Sequence, residues 1–129
     1  MSNSCKIIFT EKAPAAIGPY SQAVINNGLM FVSGQIPVNP ETSSISEDVQ
    51  SQTHQVLKNL GAILEQAGCT YEDVLKTTVF IKNMEDFSKI NDVYGEYFVS
   101  SPPARACVEV SRLPKDVLVE IEAVVAVRQ

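Results

Sequence analysis

Apolar and polar positions change period several times along this 129-residue chain, and each change marks an element. Residues 6–9, Lys-Ile-Ile-Phe, are a short apolar run that reads as a strand. The stretch Ala13-Pro14-Ala15-Ala16-Ile17-Gly18-Pro19-Tyr20 carries too many backbone breakers for regular structure and reads as a loop. Ala23-Val24-Ile25 and Leu29-Met30-Phe31-Val32 then flank Asn26-Asn27-Gly28, a hairpin signal because Asn and Gly tolerate positive φ. Ser33-Gly34-Gln35 follows, and Ile36-Pro37-Val38-Asn39-Pro40 leaves the sheet. Over 46–67, Val49, Val56, Leu57, Leu60, Ile63, Leu64 and Ala67 recur near the helical period. Ser44 and Glu47 have capping-box spacing for that helix, and Gly68 is a natural stop. Residues 73–82 read as a strand. Asn83 caps a second helix over about 84–98, whose stripe is Phe87, Ile90, Tyr94, Tyr97 and Phe98, with Asn91 on its edge. Ser100-Ser101-Pro102-Pro103 ends it. Two strands, 104–111 and 117–127, close the chain around Leu113-Pro114-Lys115-Asp116. This order predicts a single α+β domain over 1–129, with two helices on one face of a mixed or mainly antiparallel sheet.

Side chains alternate across a strand, so parity separates the two faces of each closing strand. In the first, Ala104, Ala106, Val108 and Val110 oppose Arg105, Cys107, Glu109 and Ser111. In the second, Val117, Val119, Ile121, Ala123, Val125 and Val127 oppose a set that includes Glu120 and Glu122. Each strand thus has one wholly apolar face, which the helices are expected to cover. If the two strands pair, Arg105 and Glu120 or Glu122 lie on one side, among residues too apolar for a merely solvated surface. That face is expected to meet another subunit, with the charges lining a pocket. Plain cross-strand ion pairs, each worth about 0.2–1 kcal/mol, would explain the same charges. A planar guanidinium suits a carboxylate ligand, and a nearby carboxylate suits general-base work on water. Parity locates such a site without naming its substrate.

Composition narrows the classes. Net charge is −5, and the ten Lys and Arg are scattered, which argues against a nucleic-acid partner. No apolar run approaches the roughly 18 residues of a membrane helix, and the start Met1-Ser2-Asn3-Ser4-Cys5-Lys6 has neither a secretory nor a mitochondrial leader pattern, so a cytoplasmic protein is expected. Cys5, Cys69 and Cys107 have no metal-ligand spacing, which fits reduced thiols and no metal. The lone histidine, His54, falls among Gln50, Gln52, Gln55 and Lys58 and reads as a solvated helix residue.

Four segments in order, Ala13-Pro14-Ala15-Ala16-Ile17-Gly18-Pro19-Tyr20-Ser21, Ser33-Gly34-Gln35-Ile36-Pro37, Pro103-Ala104-Arg105-Ala106-Cys107-Val108-Glu109-Val110 and Leu113-Pro114-Lys115-Asp116-Val117, resemble the RidA (YjgF) family of reactive intermediate deaminases. The likeness runs from about residue 7 to 128. It implies a chorismate-mutase-like fold, a six-stranded mixed sheet with two helices on one face, and a homotrimer with a site in each intersubunit cleft. It also implies cofactor-free hydrolysis of 2-iminobutanoate and 2-iminopropanoate, products of pyridoxal-phosphate enzymes, to 2-oxo acids and ammonia. On that resemblance Arg105 would grip the substrate carboxylate and Glu120, chosen over Glu122, would activate water. Tyr20, Ser33, Gly34, Asn91 and Cys107 would line the pocket. An endoribonuclease or translation inhibitor, and a non-catalytic carboxylate-binding or chaperone-like protein, are the alternative functions. Ser100-Ser101-Pro102 stands where relatives vary in length, which bears on the rim of the cleft.

Overall fold

The structure is a computed structural model that describes residues 5–128; the reading of Met1–Ser4 lies outside them. Six strands and two α-helices follow in the order β1 (Lys6–Ile8), β2 (Ala23–Asn26), β3 (Leu29–Gln35), α1 (Val49–Gln66), β4 (Val74–Ile81), α2 (Phe87–Tyr97), β5 (Ala104–Glu109) and β6 (Val119–Ala126). All the predicted elements are present; most ends are trimmed by a few residues, while β2 and β3 run on to Asn26 and Gln35. Asn27 and Gly28 both have positive φ, 53° and 79°, as the two-residue turn between β2 and β3 requires.

The sheet order is β1-β2-β3-β6-β4-β5, with β4 and β5 parallel and every other pair antiparallel. Since β3 and β4 each run antiparallel to β6, they are parallel to one another, and the chain steps from β3 through α1 to β4 and through α2 to β5. Both crossovers move the same way across the sheet. Crossovers share one hand, so both helices land on one face and leave the other bare. The core lies between that helix layer and the sheet, with Met30, Val32, Val79, Ile81, Val119, Ile121 and Val125 meeting Val56, Leu57, Leu60, Ile63, Leu64 and Ile90.

Three expectations change. The α1 N-cap is Asp48, extended at φ −86°, whose carboxylate accepts from the Ser51 N–H at 2.9 Å. Ser44 instead bonds the Thr42 hydroxyl at 2.6 Å and belongs to the preceding turn. His54 is half-buried rather than solvated: its Nδ1 lies 2.8 Å from the Tyr97 hydroxyl because α2 packs along α1. The two closing strands do not pair. β4 lies between them, and this reverses the predicted faces of β5. Ala104, Ala106 and Val108, expected under the helices, are exposed on the bare side. For β6 parity holds, with Val119, Ile121, Ala123 and Val125 buried.

The segment after β3 is tied to α1 by buried amide side chains, Gln52, which donates to the Ser46 carbonyl at 2.8 Å, and Asn59. Asn59 donates from Nδ2 to the Ile36 and Val38 carbonyls, both at 3.0 Å, and accepts from Gln55 at 2.9 Å. Asn59→Ala strands the Val38 carbonyl and leaves that of Ile36 with its bond from the Val38 N–H alone, so we expect a loss of about 1–3 kcal/mol, measured as a lower urea midpoint at unchanged m-value.

Candidate active site

Arg105 sits on the edge strand β5 in register with Thr77 of β4, and paired residues of parallel strands share a face. Thr77 is fully buried and its hydroxyl lies 2.7 Å from that of Tyr94 on α2. Arg105 therefore points to the helix side. Its Nη1 donates to Asn91 Oδ1 at 2.7 Å, and its guanidinium carbon stands 4.8 Å from the Tyr94 ring centroid and 5.6 Å from that of Phe87. The aromatic faces and the amide fix the orientation of a long side chain while most of its N–H donors stay unspent. A shallow recess bounded by Asn91, Tyr94, Phe98, Pro103 and Arg105 lies in front of it. Cys107, one pleat along on the same face, is partly buried, and burial pushes its thiol above the ordinary cysteine range. That favours the neutral thiol over a nucleophilic thiolate.

Glu120 occupies the opposite, bare face, in register with Phe80. A bulge in β3 shapes its surroundings: Val32 pairs with Ala123 but Gln35 with Ile121, which displaces Ser33 and Gly34. A Cβ on Gly34 would land on the Glu120 carboxylate, so this residue must be glycine for the carboxylate to lie where it does. Burial, and then repulsion from Glu122, hold the Glu120 pKa above the usual carboxylate range. Ser33 donates its hydroxyl to the Ser21 carbonyl at 2.7 Å and so anchors the loop preceding β2. Tyr20 is exposed on that loop, its hydroxyl oxygen accepting from the Ile17 N–H at 3.3 Å.

The predicted residues thus fall into two groups. Arg105, Asn91 and Cys107 cluster beside α2; Glu120, Gly34, Ser33 and Tyr20 cluster at the exit of β3. Two strand spacings across and three residues along separate Arg105 from Glu120, a Cα distance of about 14 Å, with side chains on opposite faces. The expected common face is therefore wrong for a single chain. The reason is topological: a helix between two strands makes them parallel neighbours, and β5 takes the edge beside β4 instead of pairing β6. The missed partners of Arg105 are Tyr94 and Phe87. The strand–helix–strand order over 74–109, with short connections, was the signal for them, because it directs β5 along α2.

A family model described as Endoribonuclease L-PSP matches residues 10–127. A protein of Salmonella typhimurium named 2-iminobutanoate/2-iminopropanoate deaminase is 52% identical over 127 residues, covering 96% of this chain and 98% of its own length. A RutC family protein of Pyrococcus horikoshii is 58% identical over 120 residues, 92% of this chain and 95% of the relative. Among solved structures, a Rid family protein from Yersinia pestis superposes with a TM-score of 0.93 at 52% identity, covering 96% of this chain and all of its own.

The chain belongs to the RidA (YjgF) family.

E. coli TdcF, solved with bound serine, is a further structural relative of this RidA-family chain, with TM-score 0.92 and 50% identity over 96% of this chain and 99% of that one. Among the described residues of this RidA-family chain, no group of three or more His, Cys, Asp and Glu is placed to hold a metal ion, and no helix is long and apolar enough to cross a membrane.

The raised Glu120 pKa has a checkable origin. Gly34→Ala should push the carboxylate toward solvent and lower its pKa toward the ordinary value. Glu122→Gln should lower it by removing the repulsion. Carbon-13 titration of the Glu120 carboxyl reads both; a pKa unmoved in either variant contradicts the assigned causes. The folded chain holds this proton more tightly than the unfolded one, so stability falls as pH rises from the unfolded pKa through the folded one. Glu120→Gln should then be more stable than the parent at neutral pH and no more stable at pH 3.

Proposed function

We propose that this protein hydrolyses 2-imino acids, such as 2-iminobutanoate and 2-iminopropanoate, to 2-oxo acids and ammonia, at sites assembled between three copies of the chain. The observation that carries this reading is the complementarity of the two half-sites. One offers a fixed cation with free donors; the other offers a half-buried carboxylate with a raised pKa; and one chain keeps them on opposite faces. The bare sheet face supplies a reason to assemble. Phe31 and Val108 are 48% and 41% exposed on it, alongside Ile7, Val24, Val124, Ala104 and Ala106. An apolar face of this kind is rarely left to water. The high identity to a protein named for this deaminase activity adds chemical identity to the geometry. Three unpaired cysteines suit a reducing compartment, and we place the protein in the cytoplasm.

Arg105 of one subunit holds the substrate carboxylate as a fork, and Glu120 of the next orients a water about 3 Å from C2. Water oxygen forms a bond to C2 as the C=N π pair moves to nitrogen, and Glu120 takes the released water proton. The proton passes to the amine of the carbinolamine. The C–N bonding pair then leaves with nitrogen as ammonia while the hydroxyl proton passes through Glu120 to that nitrogen, giving the 2-oxo acid. The raised pKa suits this exchange, since Glu120 must accept a proton and return it near neutral pH. Cys107 as a neutral thiol, Asn91 and Tyr20 close around the substrate, and Ser33 and Gly34 form the floor beside Glu120. The family's Endoribonuclease L-PSP description favours RNA cleavage as a second reading. Against it stand the net charge of −5 and a lone histidine bonded to a tyrosine in the helix layer.

With a threonine dehydratase supplying the imine, Arg105→Ala and Glu120→Ala should each cut the acceleration of 2-oxobutanoate formation by about 100-fold or more. Refolding the two inactive variants together in equal amounts should restore about one quarter of the sites, because some interfaces then combine an intact arginine with an intact glutamate. No recovery in mixed oligomers would place both groups in one chain and sink the shared site. The acid limb of the pH–rate profile should lie above the ordinary carboxylate pKa and move to lower pH in Glu122→Gln.

A further inference from the structure

Beside Gly34 lies a cavity of about 280 Å³ that shares Tyr20 and Gly34 with the Glu120 half-site and extends beyond it. The loop carrying Tyr20, the exit of β3 and the turn at Asn39–Ser43 enclose it, and Lys115 stands at its rim. Its walls are apolar at Pro14, Ile17, Ile36 and Val38. Most of its polar groups are already spent. The Gln22 amide accepts from the Thr10 N–H and donates to the Thr10, Ala13 and Pro14 carbonyls, and Asn39 Oδ1 accepts from the N–H groups of Glu41 and Thr42. What remains, apart from the Gln35 amide oxygen and the Ser43 hydroxyl, is a set of donors: the Tyr20 O–H, the Asn39 Nδ2 and the Lys115 ammonium. Among the described residues no carboxylate lines the cavity.

Lys115 is also free to serve it. Its neighbour Asp116 is taken by Arg112 through bonds of 2.6 and 3.2 Å, and among the described residues Lys115 has no ion pair of its own. Lys115 and Asp116 both hold φ 56°, a left-handed conformation in two successive residues that bear side chains. Such backbone persists where surrounding structure imposes it and concentrates at ligand clamps. Gly34 belongs both to this cavity and to the seat of the Glu120 carboxylate. A substrate whose C2 lies beside Glu120 can extend past Gly34 into donors and a cation.

We propose that this cavity receives the distal end of the substrate and that Lys115 binds an anionic group there, so that the chain accepts imines of dicarboxylic amino acids beside short neutral ones. This rests on the imine-hydrolase reading above, and a binding arm separates the two. In the kinetic arm, amino-acid oxidases generate the imines of glutamate and alanine in the presence of the full-length protein. Lys115→Asn, chosen because asparagine tolerates the left-handed backbone, should lower the glutamate-to-alanine ratio of kcat/KM about tenfold, mainly through KM. The parent's own ratio should fall as ionic strength rises. A ratio unchanged in Lys115→Asn, or no turnover of the glutamate imine by a parent that turns over the alanine imine, overturns the proposal. In the binding arm, glutarate should perturb amide resonances of Gly34, Asn39 and Lys115, and the perturbation should be lost in Lys115→Asn. If no imine is hydrolysed yet glutarate binds in this Lys115-dependent way, the deaminase reading fails and the anion pocket stands. Absent or Lys115-independent glutarate binding overturns the pocket whatever the kinetics.

Discussion

Inserting β6 between β3 and β4 while β5 joins the outer edge of β4 governs the rest of this molecule. Both crossovers then run in one direction, both helices cover one face, and the opposite face is left apolar and bare. The same pairing turns Arg105 toward α2 and leaves Glu120 on the bare side. A fold that buries its core in this way cannot bring its own guanidinium and carboxylate together. In the proposed oligomer, assembly through the bare face and assembly of the site are therefore one requirement.

Each half-site is held by structure that does not itself do chemistry. Arg105 would be a poorly fixed surface side chain without the rings of Tyr94 and Phe87 and the Asn91 amide. Glu120 lies low because the β3 bulge brings in a residue with no side chain. Its burial opposes ionisation, which costs stability at neutral pH and provides the proton affinity that the proposed water activation requires. The carboxylate's placement is thus poor for folding and good for acid–base work, a conflict expected at functional sites and not in a plain ion pair.

In the proposed site the bulge also links chemistry to selectivity. Gly34 separates the Glu120 carboxylate from a cavity whose unspent groups are mostly donors, and Gln22 fixes the loop that forms the far wall. The loop, the bulge and the Pro114–Asp116 turn are far apart in sequence and converge only at the exit of β3. On the proposed reading, selectivity toward the far end of a substrate can therefore change at Lys115 without disturbing the groups proposed to hold the carboxylate and the water.

Much was legible in the chain itself, because local physics sets it. The periods of apolar residues located both helices and all six strands, Asn27-Gly28 specified its turn, and Gly68, with φ 74°, stopped α1. The parity of β6 was read correctly because its apolar side meets the core along its whole length. Motif likeness singled out Arg105 and Glu120 without locating either in space. Parity in β5 misled because it divides two sets of residues without saying which faces the helices. Its small apolar residues lie on the bare side, and aromatic rings on α2 accept the cation instead. His54 likewise looked solvated because its partner, Tyr97, lies on another helix. Composition and period fix what a segment becomes; which strands are neighbours depends on contacts between distant segments, and only the tertiary structure decides that.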